Sequence, residues 1–280
     1  MKSLGITMWK DLTQDQLDRA FNNSLAVENS AQIIDGWIAD SAKVRNQIPG
    51  DLNVSYGSDP RQSYDYFSAG KHSPIVVFIH GGYWQFRCKD DFTFIVPPLL
   101  DLGISVALMG YRLAPQAKLG EIILDIRNGV DALEEKVREE RGSFPGFYLL
   151  GWSAGAHLVA STLDKENVNA GFGISGVYDL EPIRHSYLNE KLQLDEGSST
   201  AYSPILWKSH FGKSMNLFVG GSELPEIQKQ TINFYEYRKK NDQMGSYKKL
   251  PGFNHYTIFD SLVNSTGNIH KFLRQFITNS

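Results

Sequence analysis

The chain has 280 residues, of which 41% are hydrophobic and 21% are charged, a composition typical of a globular protein. Its 28 basic and 31 acidic residues leave a net charge of −3 with no long run of one sign, which argues against a nucleic-acid partner and against binding to an anionic membrane. No window approaches the ~20 apolar residues of a membrane span, and Cys88 is the only cysteine, so an intrachain disulfide is excluded.

Helix and strand patterns alternate along the chain. Residues 1–45 are predicted to form a helical N-terminal extension, because Leu12, Leu17 and Phe21 recur at roughly helical spacing. Strands are predicted at 54–56, 64–67, 74–79, 104–109, 147–150, 169–174, 216–219 and 247–250. Helices are predicted near 92–102, 119–140, 155–164, 225–240 and 267–278.

This alternation predicts an α/β fold with a mostly parallel central sheet and helices on both faces. We expect a single domain over residues 1–280. The apolar runs 74–79 and 104–109 are typical of strands buried on both faces. Residues 178–212 are polar and turn-rich, and they are predicted to form an excursion over the functional site.

The most informative motif is Gly151-Trp152-Ser153-Ala154-Gly155, which follows a predicted strand and precedes a predicted helix. A G-x-S-x-G sequence in this context forms a sharp turn that exposes the serine hydroxyl at the edge of the sheet. Small residues flank the serine because the helix backs closely onto the strand. Ser153 is therefore a candidate nucleophile.

A glycine-rich loop directly follows the predicted strand 74–79 and reads His80-Gly81-Gly82-Tyr83-Trp84. Ligands of parallel sheets bind at the carboxyl ends of the strands. Adjacent glycines let backbone N–H groups approach a substrate and stabilise a developing oxyanion. Gly81 and Gly82, together with the N–H of Ala154 after the serine, are the candidate oxyanion hole.

The candidate general base is His255, which lies in a loop straight after the last predicted strand. A chain order of serine, acid and then histidine requires a late histidine on such a loop. His157 lies four positions after Ser153 on the predicted helix, where packing is the simpler interpretation. His80 is interpreted as a brace of the glycine loop rather than as the base.

The candidate acid is Glu223, in the turn after the strand that ends near Val219. An acid at this place can orient the histidine and stabilise its cationic form. Glu226 is the weaker choice, because it falls in the first turn of the following helix, where acids commonly interact with the helix dipole. Asp179 is a rival acid that is more simply structural or part of the pocket rim.

These motifs resemble the α/β-hydrolase superfamily over about residues 55–278. Within it, the loop at 80–84 and the segment Gly110-Tyr111-Arg112-Leu113-Ala114-Pro115 are similar to hormone-sensitive-lipase-like esterases and kynurenine formamidases. A tryptophan in place of a third glycine, the run Ser175-Gly176-Val177-Tyr178-Asp179-Leu180 and the Pro-Glu after Glu223 favour the animal kynurenine formamidases (arylformamidases).

The resemblance implies an α/β-hydrolase fold and hydrolysis of N-formyl-L-kynurenine to L-kynurenine and formate. It implies Ser153 as the nucleophile, His255 as the base and Glu223 as the acid, although relatives often have aspartate at the last position. No metal and no organic cofactor is expected, the expected partner is the small-molecule substrate, and a homodimer is a further expectation. The first residues show no apolar core or cleavage pattern, so a cytosolic protein is expected.

Aromatic residues near the predicted site can supply a wall for a substrate ring, and the candidates are Tyr83, Trp84 and Trp152. Ordinary core packing is an equal alternative for Trp152. Two other functions stay open. A carboxylesterase acting on small acyl esters would use the same three residues, and a hydrolase fold can also serve as a non-catalytic binding module, although the retained serine, histidine and acid disfavour that function.

Overall fold

Eight strands form one sheet in the computed structural model, which describes residues 9–142, 146–207 and 212–278. The strands are β1 Asp51–Ser55, β2 Ser63–Phe67, β3 Ile75–Ile79, β4 Ser105–Met109, β5 Phe147–Trp152, β6 Val168–Ile174, β7 Ser214–Gly220 and β8 Tyr247–Leu250. Their order across the sheet is β1-β2-β4-β3-β5-β6-β7-β8. The pairs that include β2 are antiparallel and all the others are parallel, so the predicted mostly parallel sheet is confirmed.

Helices connect and cover these strands. They are α1 Gln14–Ala20, α2 Asn23–Ala26, α3 Ser30–Gln47, α4 Val96–Leu100, α5 Leu119–Arg141, α6 Ala154–Ala160, α7 Glu181–Arg184, α8 Asn189–Leu192, α9 Glu196–Ala201, α10 Pro225–Lys240, α11 Asp260–Val263 and α12 Asn268–Thr278. Short 3₁₀ helices lie at Trp9–Asp11, Lys89–Ile95, Pro204–Leu206 and Thr257–Phe259. Within the described ranges, no helix is both long and apolar enough to span a lipid bilayer.

The two faces of the sheet pack into separate apolar clusters. Ile75, Val77 and Ile79 of β3 belong to the cluster that includes α5, α6 and α10. Val76 and Phe78 belong to the other cluster, with α4 and α12. All five side chains are buried. A strand covered on both faces needs apolar residues at every position, which explains its continuous apolar run.

The segment between β3 and β4 differs from the single helix predicted over 92–102. It begins with the 3₁₀ helix Lys89–Ile95 and continues as α4. Pro97 and Pro98 lie in the first turn of α4, where the missing N–H groups cost no intrahelical hydrogen bond. Prolines are disfavoured inside an α-helix, so the α-helix starts beside them and not at Phe92.

The N-terminal helices contact the predicted excursion over residues 178–212. Helices α1 to α3 occupy the extension predicted at 1–45, of which residues 1–8 lie outside the described residues, and the last of them continues to Gln47. The side chain of Gln14 donates to the carbonyl of His185 at 2.9 Å. The Asp18 carboxylate accepts from the backbone N–H of Tyr187 at 2.7 Å. The excursion carries α7 to α9, and its residues 208–211 lie outside the described ranges.

Candidate active site

Ser153 forms the sharp turn between β5 and α6. Its backbone has φ 55° and ψ −119°, a conformation that L-residues rarely adopt and that costs on the order of 1–3 kcal/mol. The backbone N–H of Ser153 donates to the carbonyl of Ile174 at 2.8 Å, which ties the turn to β6. The surrounding structure therefore holds the serine in a strained position, as expected of a nucleophile elbow.

Two glycines make this turn possible. A Cβ atom at Gly151 would collide with the backbone of Gly155, and a Cβ atom at Gly155 would collide with the carbonyl of Ile79. These neighbours are backbone atoms, so they cannot move aside cheaply. The close approach of α6 to β3 and β5 explains why only glycine fits both positions around Ser153.

His255 and Glu223 form a buried hydrogen-bonded pair. Nδ1 of His255 lies 2.7 Å from Oε2 of Glu223. The other carboxylate oxygen accepts from the backbone N–H of Gly220 and from the hydroxyl of Ser175, both at 2.6 Å. The carboxylate of Glu223 is fully buried, and 4% of the His255 side chain is exposed. Three donors thus fix the Glu223 carboxylate. Because Nδ1 of His255 is bonded to it, only Nε2 of the imidazole is free to react.

The rival acids lie elsewhere. Glu226 is in the first turn of α10 and pairs with Lys229 at 2.6 Å. Asp179 accepts from the backbone N–H of Glu181 at 3.0 Å, and its own backbone is held by the side chain of Gln230. Neither carboxylate contacts His255 in the described part of the chain.

The loop after β3 runs directly against the Ser153 turn. A Cβ atom at Gly81 would lie 2.7 Å from the carbonyl of Trp152 and 2.9 Å from Cβ of Ser153. Gly82 has φ 111°, which also favours glycine. Ala154 is the first residue of α6, where backbone N–H groups lack an intrahelical acceptor. Gly81 and Ala154 therefore lie next to the serine, and Gly82 lines the same cavity as Ser153.

A cavity of about 110 Å³ contains Ser153 and His255 in its wall. Its other lining residues are Asn22, Asn23, Ser24, Ile34, Gly82, Tyr83, Phe86, Arg87, Trp152, Tyr187 and Tyr256. No hydrogen bond joins Ser153 to His255 among the described residues. Catalytic hydrogen bonds are often long before the substrate binds, so the lack of a hydrogen bond between Ser153 and His255 is compatible with a nucleophile and its base.

The three aromatic candidates have different positions. Tyr83 and Trp152 line the cavity, and the indole N–H of Trp152 donates to the carbonyl of His255 at 3.0 Å. Trp84 does not line it. That side chain is fully buried and packs edge-on against His157, with ring centroids 5.0 Å apart. The structure thus corrects the expectation that Trp84 contacts the substrate, because the loop turns its indole into the core.

Several wall residues escaped the sequence analysis. Asn23 donates to the hydroxyl of Tyr83 at 3.2 Å, and Ser24 shares a hydrogen bond with Tyr256 at 3.0 Å. Both come from the N-terminal helices, far from the catalytic motifs in sequence. Ser175 was also missed, although it directly follows β6 and so obeys the rule that functional residues follow parallel strands.

Two other histidines near the site are structural. His80 stacks on Tyr111 with ring centroids 4.2 Å apart, and the Tyr111 hydroxyl donates to the His80 carbonyl at 2.8 Å. Nε2 of His157 lies 2.8 Å from the carbonyl of Tyr202. Burial lowers the pKa of His80 to about 3 and the pKa of His157 to about 4. Both rings are neutral at pH 7, and they brace the loop after β3 and the helix α6.

The burial of His80 and His157 predicts that the folded protein is less stable in acid. Between pH 6.5 and pH 4 the unfolded chain binds more protons than the folded chain, so the free energy of unfolding decreases as pH falls. We expect His157 alone to account for a decrease of about 2 kcal/mol between pH 7 and pH 5. The free energy of unfolding of His157→Gln, measured in urea, should therefore depend less steeply on pH than that of the wild type. His72→Gln is the matched control, because His72 is exposed. Parallel curves for wild type and His157→Gln would contradict this assignment.

The described ranges contain no cluster of three or more histidine, cysteine, aspartate or glutamate side chains that could hold a metal ion. The polar atoms around Ser153 are instead hydroxyls, amides, one imidazole and one guanidinium.

Comparisons with known proteins agree on the class of fold and find hydrolases among the similar proteins. A family model described as BD-FAE matches residues 64–190. The chain is 27% identical to a kynurenine formamidase of Salmo salar over 98% of this chain and 100% of that protein. It is 28% identical to a kynurenine formamidase of Drosophila melanogaster over 79% of this chain and 80% of that protein.

A solved structure is also similar over almost the full length. It belongs to a presumed thioesterase from Silicibacter sp. TM1040 and superposes with a TM-score of 0.83 at 28% identity. The superposition covers 94% of this chain and 99% of the other. The likeness therefore includes the N-terminal helices as well as the sheet.

Proposed function

We propose that this chain, which has the α/β-hydrolase fold and is similar to kynurenine formamidases along almost its whole length, hydrolyses N-formyl-L-kynurenine to L-kynurenine and formate. The observation that carries the proposal is the buried pair of Glu223 and His255, whose imidazole lines the same cavity as the strained Ser153. Nucleophile, base and acid are the parts that acyl transfer by a serine requires.

In the proposed first half-reaction, the Ser153 hydroxyl attacks the formyl carbon while Nε2 of His255 takes its proton. Glu223 accepts the Nδ1–H bond, which holds the ring and stabilises the imidazolium. The carbonyl oxygen becomes negative and accepts hydrogen bonds from the N–H groups of Ala154 and of Gly81 or Gly82. The tetrahedral intermediate then expels the arylamine, which takes the proton from His255.

In the second half-reaction, a water molecule attacks the formyl-serine ester. His255 takes a proton from this water and later returns it to the Ser153 oxygen as formate leaves. The wall of the cavity suits this substrate. The rings of Tyr83 and Trp152 line it together with Ser153 and can pack against an aromatic leaving group.

The test compares two substrates on the purified wild-type protein. We expect kcat/KM for N-formyl-L-kynurenine to be on the order of 10⁴ M⁻¹ s⁻¹ or higher, within the range of natural substrates. The value for p-nitrophenyl acetate should be lower, although that ester is chemically the easier acyl donor. A higher kcat/KM for the ester, with negligible cleavage of the formamide, would contradict the proposed substrate.

That reversed outcome would favour a carboxylesterase of small acyl groups. The likeness to the presumed thioesterase supports this second function, since thioesters and oxygen esters need the same nucleophile, base and oxyanion hole. Both functions use the same nucleophile and base, so they differ in the acyl and leaving groups and not in the chemistry at Ser153.

A further inference from the structure

One charged side chain stands out in the wall of the cavity. Among the lining residues, Arg87 carries a permanent positive charge, and none of the lining residues is an aspartate or a glutamate. The wall also contains uncharged polar groups, the amides of Asn22 and Asn23 and the hydroxyls of Tyr187 and Tyr256. The lining side chains therefore give the cavity a positive charge.

The guanidinium of Arg87 has no carboxylate partner in the described part of the chain, whereas several other arginines of this protein have one. Arg112 is held by Asp125 at 2.7 Å, and Arg127 is held by Asp164 at 2.5 Å. In such pairs the guanidinium already donates to a carboxylate of the protein itself. The five N–H donors of Arg87 remain available to a ligand, and their planar fork matches a carboxylate.

The backbone of Arg87 is fixed even though its guanidinium is not. Its φ is 75°, and its carbonyl accepts from the side chain of Arg61 at 2.9 Å. The stem packs beside Gly82, where an added Cβ atom would lie 3.1 Å from Cγ of Arg87. The loop that supplies the candidate oxyanion hole thus also sets the position of the arginine.

The charge of Arg87 acts across the cavity. Burial raises the pKa of Tyr256, and the positive charge of Arg87 opposes that rise. Tyr256 adjoins His255 and bonds Ser24, so the field of the guanidinium reaches the wall that contains the base. A second cation lies at the rim, where Nζ of Lys191 is 5.0 Å from the ring centre of Phe86.

We propose that Arg87 binds a carboxylate on the leaving group, so that the site selects acyl compounds whose leaving group is anionic. The inference rests on the proposed function for its natural substrate, because the amino-acid head of N-formyl-L-kynurenine carries such a carboxylate. Arg87 is a specificity residue in this view. It positions the substrate through a charge-assisted hydrogen bond and takes no part in bond breaking.

The test uses two esters with the same acyl group and similar leaving-group basicity, phenyl acetate and 3-carboxyphenyl acetate. In the wild type, kcat/KM should be higher for the carboxylated ester. In Arg87→Met, which keeps most of the stem and removes the charge, the ratio of the two kcat/KM values should fall by about 10- to 100-fold, mainly through KM. Arg87→Lys should retain part of the preference, since it keeps the charge and loses the fork.

Arg19→Met is the matched control, because Arg19 is exposed on α1 and does not line the cavity. Its ratio should equal that of the wild type. An unchanged ratio in Arg87→Met, or no preference for the carboxylated ester in the wild type, would overturn the assignment. Both esters report on Arg87 even if N-formyl-L-kynurenine is not cleaved, so failure of the proposed function would be seen separately.

Discussion

Replacing Ser153 with alanine should lower kcat for N-formyl-L-kynurenine by a factor on the order of 10⁵–10⁶, the scale on which serine hydrolases lose activity without their nucleophile. The variant lacks the oxygen that forms the proposed covalent intermediate, and none of the described residues can take its place at the apex of the turn. Steady-state hydrolysis and labelling by a serine-directed fluorophosphonate, followed by mass spectrometry, measure the two consequences.

The fold should survive this change. The hydroxyl of Ser153 makes no hydrogen bond among the described residues, and alanine carries the same backbone strain at φ 55°. We expect the free energy of unfolding to change by less than about 0.5 kcal/mol.

Ser161→Ala is the matched control for the serine variant. This serine caps the C-terminal end of α6, is also buried and does not line the cavity. It should keep near-normal activity. Near-normal turnover by Ser153→Ala would exclude the proposed nucleophile, and a wild type that resists the fluorophosphonate would favour a non-catalytic binding module.

Replacing Glu223 with glutamine should lower kcat by roughly 10³- to 10⁴-fold, comparable to the corresponding aspartate-to-asparagine change in a serine protease. The amide oxygen can still accept from Gly220 and Ser175. The amide nitrogen then faces Nδ1 of His255, which must become the acceptor. The ring proton moves to Nε2, the atom that has to take the proton of Ser153, and the base is lost.

Glu226→Gln is the control for this second variant. The two glutamates are three positions apart, but Glu226 is partly buried, pairs with Lys229 in the first turn of α10 and does not contact the histidine. Its replacement should leave kcat within about twofold of the wild type. If Glu223→Gln retained more than a tenth of the wild-type kcat, the proposed role of Glu223 as the acid that orients His255 would be wrong.

The sheet and the turn at Ser153 were predictable because local patterns determine them. A strand buried on both faces needs an unbroken apolar run, and a strand-to-helix turn without space for Cβ atoms needs glycine at 151 and 155. Each pattern lies within a few neighbouring residues. The same locality made the loop after β3 recognisable.

The walls of the cavity were not predictable because they depend on contacts between distant parts of the chain. Asn23 and Tyr83 are 60 positions apart, and Ser24 and Tyr256 are 232 positions apart. No periodicity of the N-terminal helices indicates which residues approach the site. Only the packing of α1 to α3 against the rest of the fold brings Asn23 and Ser24 to the cavity that contains Ser153.

The position of Trp84 shows a second limit. Tyr83 and Trp84 are adjacent in a loop, and both have a positive φ, at 49° and 57°. This backbone path turns the tyrosine to the cavity and the tryptophan to the core. Composition and order in the sequence contain no signal for that choice.

The cavity walls are separate from the strand-turn-helix unit that carries Ser153. This separation affects how the protein can acquire new substrates. Ser153, His255 and Glu223 depend on the sheet for their positions, so mutations there threaten both stability and turnover. Residues 22–24, Arg87 and Tyr187 belong to peripheral helices and loops that can change without disturbing a strand. Natural variation or directed evolution could therefore alter the leaving group that is accepted, position by position, while the acyl-transfer chemistry stays constant.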